Sequence, residues 1–159
     1  EIGNLIGLDS KTVENYITLL EQCYIIFRVN SFSRNLRNEL KTSKKIYFYD
    51  NGVRNALISN FASIENRNDI GALWENFLIS ERIKITEYTN SYANKYFWRT
   101  KDQSEIDYLE EFDGLLHCYE FKWNPTAKAS FPSSFSNAYP NSSFEVVNRD
   151  NFEKFLGVQ

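Results

Sequence analysis

The chain has 159 residues and carries 18 Lys and Arg against 21 Asp and Glu, which gives a formal net charge of -3 at pH 7. This balance argues against general attraction of the whole surface to nucleic acid, although local basic patches could still bind it. With 42% hydrophobic and 16% aromatic residues, the composition predicts a folded globular protein, and no apolar run approaches the length that a membrane helix needs.

No secretory signal is visible, and the chain has two cysteines, Cys23 and Cys118, both in apolar surroundings. We predict that both are buried, reduced thiols, which favours a cytoplasmic location and excludes a metal site built from cysteines. The sequence begins inside an apparent helix and contains no Met. We therefore interpret it as a fragment of a longer protein.

Residues 1–60 form the first predicted unit, which has the order of a winged helix. A short helix ends at Gly7, and Asp9 and Ser10 offer an N-cap to a second helix with apolar residues at helical spacing. Strands over 25–32 and 45–49 follow, on either side of a basic linker. Two helices joined by a tight turn and followed by such a hairpin are typical of a winged helix.

A winged helix would contact DNA through the exposed face of its second helix and through its positively charged wing. The predicted nucleic-acid-binding residues are Lys11, Thr12, Asn15, Arg34, Arg37, Lys41, Lys44 and Lys45. Winged helices also bind proteins, so a packing or dimerisation module with a solvated basic loop is the alternative.

Residues 61–159 form the second predicted unit, with the element order αβββαβ. A helix over 70–85 precedes a strand over 96–100 and a hairpin over 105–123 that turns at Asp113 and Gly114. A weak helix near 131–139, a strand over 144–148 and a short helix over 151–156 follow. The whole chain is thus predicted to be α/β, more exactly α+β, with a mixed sheet.

The second arm of the hairpin sets two charged residues into an otherwise apolar strand. Because strand side chains alternate between faces, Glu120 and Lys122 share a face with Leu116 and Cys118. The opposite face carries the aromatic residues Tyr119, Phe121 and Trp123. A carboxylate and an ammonium therefore follow two apolar residues on one face of the strand.

The first arm shows a related pattern. Alternation predicts Glu105, Asp107 and Leu109 on one face of this strand. Ile106 and Tyr108 are predicted on the other face. Acids therefore appear where half-buried strands normally carry apolar side chains.

The position of Asp107 beside Glu120 and Lys122 would be costly in a merely structural sheet, because neighbouring carboxylates repel and desolvation disfavours their charge. A divalent cation would offset that repulsion. Mg²⁺ is typically held by one or two carboxylates plus phosphate oxygens and water, and a nearby Lys can orient a water. The pattern favours metal-assisted phosphodiester hydrolysis; the alternative is that Glu120 and Lys122 lie on a solvated face.

Asp107, followed on the next strand by Glu120, Phe121 and Lys122, resembles the PD-(D/E)XK nuclease core of restriction endonucleases and archaeal Holliday-junction resolvases. This resemblance implies that Asp107 and Glu120 bind Mg²⁺ and that Lys122 assists the attacking water. The Pro-Asp dipeptide of the family is absent, because Ile106 precedes Asp107.

The stretch GALWE resembles the first-helix motif of resolvase-like nucleases, which implies that Glu75 adds a metal or water contact. Helical periodicity instead centres Glu81 in the apolar stripe and leaves Glu75 at its edge. An active site at the rim of a sheet is reached from the edge of a packing face, so we prefer Glu75 and keep Glu81 as the second candidate. The predicted catalytic residues are Glu75, Asp107, Glu120 and Lys122.

The order of TVENYITLLEQCYIIF, KKIYFYDNGVRNALI, GALWENFLISERI, YFWRTKDQSEIDYLEE and YEFKW is similar to the carboxy-terminal part of predicted bacterial and archaeal AAA-type ATPases. The resemblance implies an amino-terminal P-loop module in the same protein. This chain lacks the G-x-x-x-x-G-K-S/T loop, so ATP is expected only through that module. Expected partners are DNA, the ATPase domain and a second copy of the chain. The alternative is an inactive module for DNA or protein binding or for ATPase assembly.

Overall fold

The computed structural model describes residues 5–34 and 43–158. The elements in chain order are α1 (Ser10–Gln22), β1 (Ile26–Ser31), β2 (Lys44–Phe48), α2 (Asn51–Leu57), a 3-10 turn (Ile64–Asn66), α3 (Ile70–Tyr88), β3 (Asn94–Arg99), β4 (Glu105–Phe112), β5 (Leu115–Phe121), α4 (Ser133–Ala138), β6 (Ser142–Val147) and α5 (Phe152–Leu156). The predicted mixed α/β class is confirmed, and the order αβββαβ runs from α3 to β6.

Within the described residues, six strands form one mixed sheet in the order β2-β1-β3-β4-β5-β6. The β1–β3 and β5–β6 pairs are parallel and the others are antiparallel. The hairpin predicted as the wing, β1 and β2, extends this sheet, because Asn30 of β1 pairs with Tyr96 of β3. Strands from both predicted units thus share one sheet, and the division at residue 60 stays a prediction.

Two clusters of buried side chains pack against the sheet. One contains Leu78 of α3 and Phe155 of α5. The other contains Trp98 of β3 and Phe135 of α4. Because fully burying a large apolar side chain contributes about 1.5–3 kcal/mol, these clusters supply the main driving force for folding.

Strand β5 alternates between the two clusters as predicted. Leu116 and Cys118 belong to the cluster of Trp98, whereas Phe121 belongs to the cluster of Leu78. The predicted turn before β5 is also present, since Asp113 and Gly114 have φ values of 49° and 75°. Two successive left-handed residues are what a two-residue type I′ hairpin requires.

Strand β4 departs from the predicted alternation. Ile106 and Leu109 lie in one cluster and Tyr108 in the other, so the prediction that Ile106 and Tyr108 share a face is wrong. The reason is a β-bulge, because three steps of β4, from Ile106 to Leu109, lie opposite two steps of β3, from Trp98 to Tyr96. The extra residue lies in the segment that contains Asp107.

Cys118 is buried as predicted, but Cys23 is exposed. Cys23 is the C-cap of α1, where the chain turns out of the helix, and its apolar neighbours in sequence do not cover it. Among residues 5–34 and 43–158, no helix combines the length and the apolar character needed to cross a membrane.

Candidate functional site

Asp107 lies at the bulge of β4, and its carboxylate Oδ2 accepts a hydrogen bond of 2.8 Å from the backbone N–H of Phe121 on β5. Burial raises the pKa of Asp107, and the nearby carboxylates of Glu75 and Glu120 add to this, so that the pKa is about 7. The structure therefore brings Glu120 and the helix residue Glu75 close enough to Asp107 to repel its carboxylate.

Glu120 and Lys122 form a direct ion pair at the end of β5. The ammonium Nζ of Lys122 donates to Glu120 Oε1 at 2.7 Å, and the side chains are 33% and 18% exposed, respectively. Burial lowers the pKa of Lys122, but the hydrogen bond to Glu120 and the neighbouring carboxylates outweigh it and raise that pKa overall. Lys122 is thus a charged, partly accessible group beside the acids.

Glu75 reaches the same cluster from α3. Its Oε1 accepts a hydrogen bond of 2.6 Å from the Tyr47 hydroxyl and one of 2.9 Å from Lys45 Nζ. Glu81 instead pairs with Lys84 at 2.6 Å, with both side chains about one third exposed. Of the two candidate helix acids, the structure places Glu75 near Asp107.

Lys45 was predicted to contact phosphates from the wing, but its ammonium lies between two carboxylates. It is 2.9 Å from Glu75 and 2.5 Å from Glu105, and it lies 5.4 Å from the ring centroid of Phe97. Burial lowers the pKa of Lys45, and the two carboxylates outweigh that effect and raise it. Lys45 is therefore a counter-ion of the acidic cluster, by which we mean the carboxylates of Glu75, Glu105, Asp107 and Glu120 and the cations that pair with them.

Sequence patterns did not assign Lys45, Tyr47 or Glu105 to the acidic cluster. Glu105 carried a weak signal, since it stands two residues before Asp107. Tyr47 and Lys45 carried none, because their contacts with Glu75 join residues that are 28 and 30 positions apart in the chain. Together, Lys45, Tyr47 and Glu75 line a cavity of about 310 Å³ between β2 and α3.

The charges of the cluster leave an excess of acid. Its carboxylates are those of Glu75, Glu105, Asp107 and Glu120. Its cations are Lys45, Lys122 and Arg99, whose Nε lies 3.4 Å from Glu105. Four carboxylates against three cations give a net charge of -1 when Asp107 is ionised.

The donor set fits Mg²⁺ through two carboxylates. No group of three carboxylate, histidine or cysteine side chains in the described parts of the chain is arranged to hold a metal ion. Mg²⁺ nevertheless needs only one or two protein carboxylates, since water and substrate phosphate supply the other oxygens. Asp107 and Glu120 provide hard oxygen ligands, and a cation would offset both the burial and the neighbouring carboxylates that raise the pKa of Asp107.

The predicted DNA-contacting residues of α1 lie at its amino-terminal end. Lys11 and Asn15 are exposed. The hydroxyl of Thr12 donates to Asp9 Oδ2 at 2.5 Å, and the Asp9 carboxylate also accepts from the backbone N–H of Lys11 and Thr12. Thr12 and Asp9 therefore cap this helix, as such side chains commonly do.

The predicted wing residues that the structure describes, Arg34, Lys44 and Lys45, pair with separate acids and do not converge on one basic surface. Arg34 pairs with Glu111 at 2.7 Å, and Lys44 lies 3.5 Å from Glu14. Arg37 and Lys41 lie outside the described residues. Of the basic residues predicted to contact DNA, the structure brings Lys45 to the acidic cluster.

Residues 70–157 match the model of a family described as a domain of unknown function (DUF4143). Residues 1–64 match a second domain of unknown function (DUF8612). Uncharacterized proteins of Mycobacterium bovis and Mycobacterium tuberculosis are each 25% identical to this chain over 132 residues. That alignment covers 82% of this chain and 29% of each relative, so the chain spans less than a third of their length. No solved structure matches this chain.

Proposed function

This chain belongs to the DUF4143 family, which is described as a domain of unknown function, and we propose that it cleaves phosphodiester bonds in DNA with a divalent metal ion. The proposal is drawn from the acidic cluster. The observation that carries the proposal is the buried position of Asp107 beside Glu75 and Glu120, because burial first and the two carboxylates second raise its pKa to about 7. Lys122, bound to Glu120 at 2.7 Å, supplies the cationic group that such chemistry needs.

The residues of the cluster divide the work. Asp107 and Glu120 hold Mg²⁺, which when bound supplies charge stabilisation at the phosphate and a more acidic water. Lys122 orients the attacking water or stabilises the negative charge that develops on the phosphoryl oxygens. Glu75, fixed by Tyr47 and Lys45, acts as the auxiliary acid.

The proposal extends to the protein that contains this chain. The order of its motifs supports assignment to the carboxy-terminal part of an AAA-type ATPase. In that setting α1 and the β1–β2 hairpin would position DNA, with Lys11 and Asn15 exposed on the helix. Hydrolysis of ATP would belong to the other module of the same protein.

An inactive binding or assembly module is the second candidate, and one observation favours it. Helix α1 has no buried residue, and Tyr16, Leu19 and Leu20 are each at least 40% exposed. Apolar side chains left exposed together are typical of a contact surface for protein. In this alternative the paired charges of the acidic cluster serve the fold alone.

A cleavage assay separates the two candidates. Duplex, single-stranded and branched DNA are incubated with Mg²⁺ or Mn²⁺ and with the wild type, Asp107→Asn or Glu120→Gln. Metal-dependent nicking by the wild type should fall by about 100-fold or more in both variants. Glu81→Gln, which changes an acid outside the cluster, should cleave like the wild type. A wild type that cuts none of these DNAs would favour the inactive module, whereas variants that cut as well as the wild type would show that the acidic cluster does not carry the cleavage.

A further inference from the structure

The ammonium of Lys45 lies at a point of the acidic cluster where two carboxylates meet. Lys45 Nζ is 2.9 Å from Glu75 Oε1 and 2.5 Å from Glu105 Oε1. Glu75 belongs to α3 and Glu105 begins β4, so this one cation joins carboxylates from two separate elements. A bound divalent ion does the same in a metal site, because it gathers carboxylate oxygens from several parts of a chain.

The side chain of Lys45 is held in this position by its surroundings. Only 22% of it is exposed, and its ammonium lies 5.4 Å from the ring centroid of Phe97. Its strand, β2, pairs with β1, so that Lys45 lies opposite Val29. The Tyr47 hydroxyl donates to Glu75 Oε1, the oxygen that Lys45 also binds. The two ion pairs of Lys45 are therefore part of the folded structure and not a chance contact at the surface.

The charge of the cluster indicates how many further cations it can hold. Its four carboxylates face three cations, which leaves a net charge of -1 when Asp107 is ionised. One divalent ion would change this charge to +1, and the single negative charge of a phosphodiester would then bring it to zero. Two divalent ions would leave two positive charges uncompensated even with that substrate bound. Because uncompensated like charges are costly in a partly buried site, the balance favours one ion.

The position of Lys45 shows where a second ion would otherwise bind. Many enzymes that cleave phosphodiesters hold two divalent ions about 3.5–4 Å apart, one for the attacking oxygen and one for the leaving oxygen. With Asp107 and Glu120 assigned to a first ion, Glu75 and Glu105 are the carboxylates of the cluster that could hold a second. Lys45 already binds both of them. Its ammonium therefore supplies the positive charge that a second ion would bring.

Lys45 also comes from a different matched domain than the acids. It lies in residues 1–64, which match one domain of unknown function. The four carboxylates of the cluster lie in residues 70–157, which match the other. A residue of the first domain thus completes the charge of a cluster that the second domain forms.

We propose that Lys45 is a positioning residue that takes the place of a second divalent ion, so that the acidic cluster binds one such ion, at Asp107 and Glu120. Its ammonium holds Glu75 and Glu105 in place without a metal. The inference rests on the proposed function for the first ion, whereas the role of Lys45 rests on its own two ion pairs.

The test counts the Mn²⁺ ions bound per chain at pH 8 by electron paramagnetic resonance, since the sharp signal of free Mn²⁺ is lost on binding. Lys45→Met keeps the apolar stem of the side chain and removes its charge. This variant should bind one more Mn²⁺ than the wild type, because Glu75 and Glu105 then lack their shared cation. Lys44→Met is the matched control, since Lys44 lies 3.5 Å from Glu14, outside the cluster. It should bind the same number of ions as the wild type.

The double variant Lys45→Met/Glu75→Gln should lose the extra ion again. An extra ion that remains in the double variant, or the same count in Lys45→Met as in the wild type, would overturn the proposal. If Lys45→Met is unfolded in EDTA, circular dichroism provides the test, because an ion that binds only the folded chain should restore the fold. A variant that stays unfolded in excess Mn²⁺ would then overturn it.

Failure of the proposed function gives a different result. A wild type that binds no Mn²⁺ contradicts the ion at Asp107 and Glu120, but Lys45→Met should still gain one ion if Lys45 has the proposed role. A wild type that binds two ions, or a wild type and a Lys45→Met variant that bind one ion each, contradicts the role of Lys45 and leaves the metal site intact.

Discussion

At the scale of single residues, the proton of Asp107 links pH to stability. The ordinary pKa of 3.8 rises to about 7 in the fold, so between these values the folded chain binds a proton that the unfolded chain lacks. The free energy of unfolding therefore falls as pH rises from about 4 to 7, and this penalty persists above pH 7.

Asp107→Asn should remove this penalty and stabilise the chain at pH 8. Each pH unit between the unfolded and the folded pKa of Asp107 corresponds to about 1.4 kcal/mol of unfolding free energy, so the gain is of the order of a few kcal/mol. The side-chain oxygen of Asn can still accept the hydrogen bond from the backbone N–H of Phe121, so this contact is kept in the variant. Urea unfolding at pH 8 and pH 4 measures the difference in unfolding free energy between Asp107→Asn and the wild type, and this difference should be smaller at pH 4. Asp150→Asn changes an exposed acid as the control. A wild type that is as stable as Asp107→Asn at pH 8 would contradict this role of Asp107.

The same proton should control the affinity for metal. A carboxylate must be deprotonated to bind a cation, so affinity for Mn²⁺ should fall by about ten-fold per pH unit below pH 7. Calorimetric titrations at pH 6, 7 and 8 measure this slope. An affinity that stays constant over this range would argue that Asp107 is not a ligand.

A second residue-scale prediction concerns the ion pair of Arg82 and Glu110. Arg82 donates to both oxygens of Glu110, at 2.8 and 2.7 Å, and Glu110 is only 5% exposed. Glu110→Gln leaves the partly buried charge of Arg82 without its partner, which should cost about 3–5 kcal/mol of unfolding free energy. Glu145→Gln, at the exposed pair with Lys154, should cost less than about 1 kcal/mol. Equal losses in urea unfolding would refute a distinct role for the Arg82 pair.

At the scale of elements, α1 and α3 differ in how they are held. Leu78 of α3 is fully buried, whereas Leu19 of α1 is 54% exposed. Leu78→Ala should therefore lower the free energy of unfolding by about 2–5 kcal/mol. Leu19→Ala should change it by less than about 0.5 kcal/mol. Urea unfolding of both variants measures these changes. A large loss of unfolding free energy in Leu19→Ala would show that the face of α1 that carries Leu19 is buried in solution.

The elements that sequence patterns predicted best are those whose residues interact locally. The alternation on β5 and the turn at Asp113 and Gly114 depend on near neighbours, and both are present. The bulge on β4 was not predictable, because EIDYLEEF has no glycine or other mark of an inserted residue. Its register depends on pairing with β3, which is a tertiary contact.

At the scale of the whole molecule, the β1–β2 hairpin contributes to the acidic cluster of the second predicted unit. Asp107, Glu120 and Lys122 could be predicted together because they lie on one hairpin, and Glu75 came from its motif. Lys45 could be assigned only to a basic wing, since nothing local indicates that β2 lies against α3. The long-range contacts that complete the cluster are those that sequence patterns cannot supply.

The metal site that we propose at Asp107 is tested most directly by calorimetric titration of Mn²⁺ into the wild type, Asp107→Asn and Glu81→Gln at pH 8. We expect saturable binding to the wild type and to Glu81→Gln, with affinity at least about ten-fold lower in Asp107→Asn. An absence of binding to the wild type, or equal affinity in all three proteins, would contradict the metal site and with it the proposed nuclease.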